Sequence, residues 1–232
     1  FMTSNTNVKL TMSKTAIILG ATGLTGSYLL DSLLEDDRYG QIVLFSRNSC
    51  GIKHPKLVEH LIDLFELERH KDKFNADEVF CCIGTTKAKT ADKETYSKID
   101  YGIPVTAASL CSQNDINTFV VVSALGANQK SRLFYNRIKG KMEIDVLKFK
   151  IKNTYILQPS LIGGKREEKR IGESIMKFLF SLFKPLLYFG DLKRYRPIHP
   201  QTITDCMIWL ANHECTSDRI ESQTIQKIGK KE

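Results

Sequence analysis

Short apolar runs recur along the chain and are separated by longer segments of mixed polarity. Within these runs the apolar residues, mainly Val, Ile, Leu and Phe, are often adjacent rather than alternating with polar ones. This pattern is typical of strands that are buried on both faces of a parallel sheet. It predicts six strands, at residues 15–20, 41–46, 57–63, 78–83, 117–123 and 154–159.

The segments between the strands repeat their apolar residues at helical spacing. Helices are predicted over residues 24–34, 93–112, 131–147 and 202–211, with Pro104 as a kink or start point inside the second. Strand and helix alternate in this order along the chain, which predicts right-handed βαβ units. The predicted fold class is therefore α/β, a doubly wound parallel sheet with helices on both faces.

The pattern changes after Pro159. Residues 173–191 form the most hydrophobic segment, but two lysines and a proline interrupt it, which excludes a membrane span. A core-facing helix, a lid over a substrate cleft and a membrane-surface patch remain as interpretations. We predict one domain over residues 12–232, whose part from about residue 163 onward is a small helical lid. Residues 1–11 are polar and patternless, and we predict a disordered or vector-derived extension.

Composition is that of an ordinary globular protein, with 42% hydrophobic and 26% charged residues among 232. The six cysteines show no CxxC pair and no His/Cys spacing suited to a metal, so we predict reduced thiols and no metal site. No secretory signal is visible. These features predict a cytoplasmic protein, which we expect to be a monomer or a homodimer.

The net charge of +8 raises the question of a nucleic-acid partner. The charge is spread along the chain, and no aromatic residues alternate with the basic ones as single-strand binding would favour. A solvated surface, or steering of an anionic cofactor, is the favoured interpretation. Nucleic-acid binding remains a weaker alternative that rests on the net charge alone.

Three glycines follow the first predicted strand at intervals of three, Gly20, Gly23 and Gly26 in TAIILGATGLTG. Gly20 would allow a tight turn, Gly23 the close approach of a pyrophosphate, and Gly26 the close packing of helix on sheet. The diphosphate would lie over the helix N-terminus, where unpaired N–H groups and the helix dipole favour an anion. The sequence therefore predicts a Rossmann-type dinucleotide site.

NAD specificity usually requires an acidic residue at the end of the second strand, where it binds ribose hydroxyls. Here that strand ends in Ser46 and Arg47, with no carboxylate nearby. A guanidinium can bind a 2′-phosphate through two hydrogen bonds, whereas an acid would repel it. NADP(H) is therefore favoured over NAD(H), although Arg47 is also explained by a solvent-exposed loop.

The segment FYNRIKGK places Tyr135 and Lys139 four residues apart, on one helix face. Lysine-rich chains produce such pairs by chance, but of the eight tyrosines only Tyr135 has a lysine four residues on. Ser123 ends the preceding strand, at the carboxyl edge where open α/β sheets bind ligands. The three residues are therefore candidates for a catalytic set.

Together, the glycine spacing, Ser123 and Tyr135-x-x-x-Lys139 resemble the short-chain dehydrogenase/reductase superfamily, in its extended and atypical branches. The segments LFSRN, CCIGTT, VVVSALGAN, FYNRIKGKME and LQPSLIGG are most similar to the atypical branch of the Tat-interacting protein and its small bacterial relatives. The resemblance runs from about Lys14 to Asn212. It implies a Rossmann fold and an NADP-dependent oxidoreductase that acts on a small carbonyl or alcohol.

The resemblance also implies roles for single residues. Tyr135 would be the general acid/base, Lys139 would lower its pKa and hold the nicotinamide ribose, and Ser123 would hydrogen-bond the substrate oxygen. Asp63 would lie near the adenine. The implied cofactor contacts are Gly20, Thr22, Gly23, Leu24, Thr25, Gly26, Ser46, Arg47, Asp63, Leu64, Ile83, Gly84, Thr85, Thr86, Lys139, Pro159, Ser160, Leu161 and Ile162.

Two residues depart from the family pattern. Gln158 stands where many relatives have arginine, and Asp100 lies about where many have a structural asparagine, so the usual proton relay is in question. The chain also lacks the large C-terminal region of sugar-nucleotide epimerases. An alternative from a different class is an NADPH-binding sensor or interaction module with little or no turnover; the intact Ser, Tyr and Lys set favours the enzyme.

Overall fold

The computed structural model describes residues 13–85, 89–160, 162 and 197–230. Seven strands of this part form one sheet in which every pairing is parallel, in the order β3-β2-β1-β4-β5-β6-β7. They are β1 Lys14–Leu19, β2 Tyr39–Ser46, β3 Leu57–Leu61, β4 Glu78–Cys81, β5 Thr118–Val122, β6 Asn153–Gln158 and β7 Arg219–Glu221. The predicted doubly wound α/β fold is confirmed.

Helices cover both faces of the sheet. Helix α1 packs with α5 on one face, and α3 and α4 pack on the other. The elements are α1 Leu24–Glu35, a 3-10 segment Leu64–Lys73, α2 Lys93–Ser97, a π-helical turn Lys98–Gly102, α3 Ile103–Gln113, α4 Phe134–Leu147, α5 Pro200–Asn212 and α6 Ser222–Ile228.

Strand β1 shows why adjacent apolar residues are required. Ala16 and Ile18 point into the core beneath α1 and α5, whereas Ile17 and Leu19 point into the core beneath α3 and α4. All four residues are fully buried. A strand with helices on both sides must therefore be apolar at every position, which is the pattern that the sequence shows.

Three predicted boundaries differ from the observed ones for local reasons. The third strand ends at Leu61, because Asp63 caps the 3-10 segment by accepting a hydrogen bond from the Phe65 N–H at 2.9 Å. The helix predicted over 93–112 is divided by the π-helical turn, and Pro104 lies in the first turn of α3. Strand β7 and helix α6 were missed, since a three-residue strand carries too few positions to show a period.

The described part of the predicted lid belongs to the sheet and its helical cover. Helix α5 packs against α1, and β7 pairs in parallel with β6. The remainder of that prediction, residues 163–196, lies outside the described residues, as do residues 1–11, Thr86 and Leu161. Among the helices that the structure describes, none combines the length and the apolar character needed to cross a bilayer.

The sheet reverses its winding beside β1. From β1 the chain passes through α1 to β2 and β3 on one side, and then returns to β4 on the other. Because all the strands are parallel, the loops after β1, β4 and β5 meet at the same carboxyl edge. In folds of this class, ligands bind in the crevice at that switch point.

Candidate functional site

Two of the three predicted glycines are required by backbone packing in the turn from β1 to α1. Gly20 has a φ of +89°, and a Cβ there would lie 2.9 Å from the Cys82 carbonyl oxygen. A Cβ on Gly26 would lie 2.0 Å from the Gly20 carbonyl oxygen. Gly26 therefore allows the first turn of α1 to pack closely against the backbone of the turn at Gly20. The predicted close contact was with the sheet instead.

Gly23 is different, because its surroundings are open. It is exposed, together with Thr22, and a Cβ there would meet only the Gly20 carbonyl oxygen, at 3.2 Å. Gly23 is also the N-cap of α1, with no side-chain cap and no acidic residue in the first turn. The N-terminus of α1 is therefore open to an anion from outside the helix.

The next loop along the edge follows β2. Ser46 is buried and donates its hydroxyl to the Asn48 carbonyl oxygen at 2.9 Å, so it holds the loop. Arg47 is exposed and has no hydrogen bond or ion pair with any residue that the structure describes. Arg47 follows β2, which is one strand away from the glycine turn, on the same edge.

The loop after β4 is anchored to the π-helical turn. The Thr85 N–H donates to Asp100 Oδ2 at 2.8 Å, and the Tyr96 hydroxyl donates to the Thr85 carbonyl oxygen at 3.1 Å. Gly84, just before, is exposed. A Cβ on Gly84 would lie 3.5 Å from Asp100 Oδ1 and 3.8 Å from Lys139 Nζ.

Lys139 and Asp100 form a buried ion pair, with 3.0 Å between Nζ and Oδ1 and side chains 3% and 1% exposed. The ammonium also donates to the Val122 carbonyl oxygen at 3.4 Å, which places it at the end of β5. Burial by itself lowers the pKa of Lys139, but the interactions with Asp100 and Tyr135 together more than offset this, so the pKa lies above its ordinary value. Lys139 is therefore charged, and its charge is balanced.

Tyr135 lies one helical turn before Lys139 on α4, edge-on to the ring of Tyr96 at 6.4 Å. Its hydroxyl has no hydrogen-bond partner among the residues placed by the structure. Burial raises the pKa of Tyr135 above its ordinary value; the charge of Lys139 opposes this and that of Asp100 adds to it. The lowering expected from Lys139 is thus present but outweighed, and the phenol keeps its proton.

Ser123 is buried, and its hydroxyl donates to Glu143 Oε1 at 2.6 Å. Glu143 also accepts from Gln158 Nε2 at 2.9 Å and from Arg219 Nε at 3.0 Å. The serine proton is therefore engaged inside the protein, and the Ser123 oxygen can offer only its lone pairs to a ligand. This differs from the donor role that the family resemblance implies.

Sequence reasoning missed Glu143, although a signal was present. It lies four residues after Lys139, so the two residues share the buried face of α4. A charged residue on a buried face needs partners, and these come from the loop after β5 and from strands β6 and β7. Gln158, which replaces the usual arginine, supplies an amide, and the positive charge comes from Arg219 instead.

Gly140 allows α4 to pack closely against the loop that follows β5. A Cβ there would lie 2.3 Å from the backbone of Asn128 and of Gln129. The loop and the helix therefore touch without any side chain between them. This contact fixes the segment of chain that connects Ser123 to Tyr135.

The last predicted contacts follow β6. Pro159 and Ser160 are buried, and the Pro159 carbonyl oxygen accepts from the Leu125 N–H at 2.9 Å, beside Ser123. Ile162 forms an isolated bridge with Ile198. All six cysteines are free thiols in the structure. Within the described ranges no group of three or more His, Cys, Asp or Glu side chains is arranged to hold a metal.

The geometry agrees with the chain's matches to known proteins. A family model described as the NAD dependent epimerase/dehydratase family matches residues 16–134, which span β1 to the start of α4. The chain belongs to this family. The prediction of an NAD(P)-dependent oxidoreductase or epimerase-like enzyme is confirmed at that level.

Among curated relatives, protein FMP52-1 of Scheffersomyces stipitis is 30% identical and aligns over 76% of this chain and 80% of its own length. Protein FMP52 of Debaryomyces hansenii is 34% identical over 67% of this chain and 70% of its own. Both are named as mitochondrial. These names overturn the prediction of a cytoplasmic protein, which rested on reduced thiols and on the lack of a visible secretory signal; mitochondrial proteins can share both features.

Solved structures show the same fold at low identity. ADP-L-glycero-D-manno-heptose-6-epimerase of Helicobacter pylori has a TM-score of 0.67 at 15% identity, and the match covers 95% of this chain and 82% of that one. A short-chain dehydrogenase/reductase superfamily protein of Agrobacterium tumefaciens, with NAD bound, has a TM-score of 0.68 at 12% identity and covers 88% and 76%. The predicted superfamily fold is thus confirmed, whereas the relatives carry the FMP52 name rather than that of the Tat-interacting branch.

Proposed function

We propose that this protein is an NADP(H)-dependent oxidoreductase that reduces a small carbonyl compound, or oxidises the matching alcohol, with Tyr135 as its proton donor and acceptor. The observation that carries the proposal is the Tyr135 hydroxyl. It lies one turn before the buried Lys139, and it lacks a partner in the described part of the chain. A polar group that the fold leaves unpaired beside a buried charge is suited to a ligand.

The chain has features that fit a dinucleotide. The open N-terminus of α1 at Gly23 would receive the pyrophosphate, and Arg47, with no partner among the described residues, would bind a 2′-phosphate. The absence of a Cβ at Gly84 leaves space beside Lys139 for a ribose. Asp63 and Leu64 would lie at the adenine. Asp63 already caps the 3-10 segment with one oxygen, so its other oxygen would make that contact.

The residues of this chain would handle the proton. When bound, the nicotinamide supplies the hydride that reduces the carbonyl carbon. Tyr135 donates its phenolic proton to the carbonyl oxygen, and solvent returns a proton to the tyrosine. The raised pKa of Tyr135 suits reduction, because the phenol is fully protonated at neutral pH. Lys139 stabilises the phenolate that forms when the proton leaves.

Ser123 would orient the substrate as a hydrogen-bond acceptor. Its proton points to Glu143, so a substrate hydroxyl or N–H beside the reacting carbon would donate to Ser123. Tyr135 alone would then donate a hydrogen bond to the carbonyl oxygen and stabilise the negative charge that develops on it. A carbonyl compound with a neighbouring hydroxyl is the substrate type that fits this arrangement.

The alternative function is an NADPH-binding sensor with little turnover. One observation favours it: two groups of the predicted catalytic set are already engaged, Ser123 with Glu143 and Lys139 with Asp100. The unpartnered hydroxyl of Tyr135 favours the enzyme, since a sensor has no use for a proton donor at this place. The mitochondrial names of the relatives support a mitochondrial location for either function.

The test is a screen of aldehydes and ketones, with and without a neighbouring hydroxyl, that follows NADPH absorbance. For any substrate found, Tyr135→Phe should lower turnover by about 10²–10⁴-fold and leave NADPH affinity nearly unchanged, as is typical when a general acid is lost. Tyr101→Phe is the matched control, because it removes a phenol that donates to Asp145 at 2.7 Å outside the site. Equal turnover in the Tyr135 variant, or no turnover with any carbonyl, would favour the sensor.

A further inference from the structure

Asp100 carries a buried oxygen that the fold does not fully satisfy. Its Oδ2 accepts from the Thr85 N–H at 2.8 Å. Its Oδ1 lies 3.0 Å from Lys139 Nζ, close enough for an ion pair but not aligned for a hydrogen bond, and no other donor in the described ranges reaches it. Buried carboxylate oxygens are normally hydrogen-bonded, so this one has room for a further donor.

The missing Cβ of Gly84 leaves space beside this buried oxygen. The position where any other residue would carry its Cβ is 3.5 Å from Asp100 Oδ1 and 3.8 Å from Lys139 Nζ, and beyond the adjoining residues no other atom lies within 4 Å of it. Gly84 is itself exposed. A group on a ligand could therefore reach both members of the ion pair over the Gly84 backbone.

The pair offers one acceptor and one donor side by side. A hydroxyl group matches this arrangement, because it can donate its proton to the carboxylate and accept from the ammonium. A carbonyl or a phosphate could use only Lys139 and would be repelled by Asp100. The site is therefore selective for a hydroxyl.

We propose that Asp100 is a ligand-binding residue that, together with Lys139, holds a ribose hydroxyl of the nicotinamide half of the cofactor. This proposal rests on the proposed function. The π-helical turn supports it, since such turns are frequent at functional sites and this one places Asp100 beneath Gly84. It also gives the departure from the family's asparagine a role: an amide here could not present a free acceptor to the hydroxyl.

The geometry makes Asp100→Asn a sharp test. The amide oxygen of the variant must face the Thr85 N–H, so its NH₂ group would face Lys139 and the ligand. NADPH affinity, measured by calorimetric titration of the full chain, should fall at least about tenfold. A dinucleotide without hydroxyls on the nicotinamide ribose should bind the variant and the wild type equally. The matched control is Asp145→Asn. Asp145 lies on the outer side of α4, and its carboxylate accepts a hydrogen bond from the Tyr101 hydroxyl.

Asp100→Asn leaves Lys139 without its counter-charge, which destabilises the fold. A second variant that keeps the ion pair is therefore also measured. Gly84→Ala keeps the ion pair and adds a methyl group at ordinary van der Waals distance, which should weaken NADPH binding at least about tenfold. Gly102→Ala is its control, with only the Ser97 carbonyl oxygen, at 4.0 Å, near the added methyl.

The outcomes separate the two proposals. If the wild type binds NADPH while a folded Asp100→Asn and Gly84→Ala both bind it equally well, Asp100 is not a ligand-binding residue and the proposed function still stands. Should Asp100→Asn not fold, the proposal is overturned if the wild type binds NADPH and the dinucleotide without hydroxyls on the nicotinamide ribose equally well. A wild-type protein that binds neither NADPH nor NADH would overturn both proposals.

Discussion

Two lysine–carboxylate pairs lie at opposite edges of the sheet, and they are built differently. At the amino edge, Lys14 pairs with Glu78 and also donates to Asn212 Oδ1 at 2.9 Å. The Tyr39 hydroxyl donates to the second Glu78 oxygen at 2.6 Å and accepts from Asn212 Nδ2 at 2.9 Å. Both carboxylate oxygens of Glu78 thus have donors, and the network closes on itself.

At the carboxyl edge the corresponding network is left open. Asp100 Oδ1 has its ion pair but lacks a hydrogen bond within the described chain. The hydroxyl of Tyr135, one helical turn before Lys139, has no partner there either. A buried network in which every polar group has a partner stabilises the packing of strands against a helix. A network with an unsatisfied group has that group available for a ligand. The comparison therefore predicts that the amino-edge pair is structural and that the carboxyl-edge pair binds a ligand.

Replacing the two lysines should separate these roles most strongly. Lys139→Ala should reduce turnover by 10² or more and also weaken NADPH binding, because the residue is proposed to stabilise the tyrosine phenolate and to hold the ribose. Lys14→Ala should leave the NADPH dissociation constant unchanged. It should lower the free energy of unfolding by about 1–3 kcal/mol, the usual cost of an unsatisfied buried group.

Titration with NADPH and urea unfolding would be measured for both variants. The comparison fails if Lys14→Ala weakens NADPH binding as much as Lys139→Ala does. It also fails if Lys139→Ala changes only stability, since the carboxyl-edge pair would then be structural as well.

The residues at the carboxyl edge of the sheet could be predicted from the sequence, but the hydrogen-bond networks of the buried charges could not. Apolar runs such as AIIL of β1 must be strands buried on both faces, and the ends of parallel strands then place Gly20 and Ser123 on the same edge of the sheet. The 3.6-residue period placed Tyr135 and Lys139 on one face of α4. Local patterns were sufficient for these features because each depends on a few adjacent residues.

The partners of the buried charges depend on remote segments. Glu143 is neutralised by Arg219, 76 residues away on a strand too short to predict, and Asp100 reaches Lys139 only because a π-helical turn directs it there. Asp100 was noted from its sequence as a departure from the family pattern, yet nothing in the sequence pairs it with Lys139. Contacts of this kind follow from the packing of whole elements.

Two arginines extend the comparison along β2. Arg38, just before the amino end of β2, binds both oxygens of Asp36, at 2.6–3.0 Å. Arg47, at the carboxyl end, has no partner among the described residues. Arg47→Ala should therefore reduce the preference for NADPH over NADH by about 1.5–3 kcal/mol, the usual value of hydrogen bonds to a charged group.

Arg38→Ala is the control, because it removes the same charge from the opposite end of β2 and should not alter the preference. Dissociation constants for both cofactors would be measured in each variant. Tighter binding of NADH than of NADPH by the wild type, or an unchanged preference in Arg47→Ala, would show that Arg47 is only a solvent-exposed loop residue.

The smallest expected effect concerns the pH dependence of the closed network. Burial raises the pKa of Glu78 above its ordinary value, although Lys14 and Tyr39 donate to it and oppose the shift. A carboxyl group that binds its proton more tightly when folded stabilises the folded state below the unfolded-state pKa, about 4.3. This contribution is lost as the pH rises through the higher folded-state pKa.

Glu78→Gln cannot lose a proton, so the difference in unfolding free energy, wild type minus variant, should decrease as the pH rises from below 4.3 toward neutrality. Urea unfolding at several pH values measures this difference, and Glu68→Gln, which removes an exposed carboxylate from the 3-10 segment, controls for the change in net charge. An increasing difference would mean that Lys14 and Tyr39 stabilise the ionised carboxylate by more than burial costs it. The amino-edge pair would then contribute to stability through its charge, and the open carboxyl-edge pair would be unusual for its unsatisfied oxygen alone.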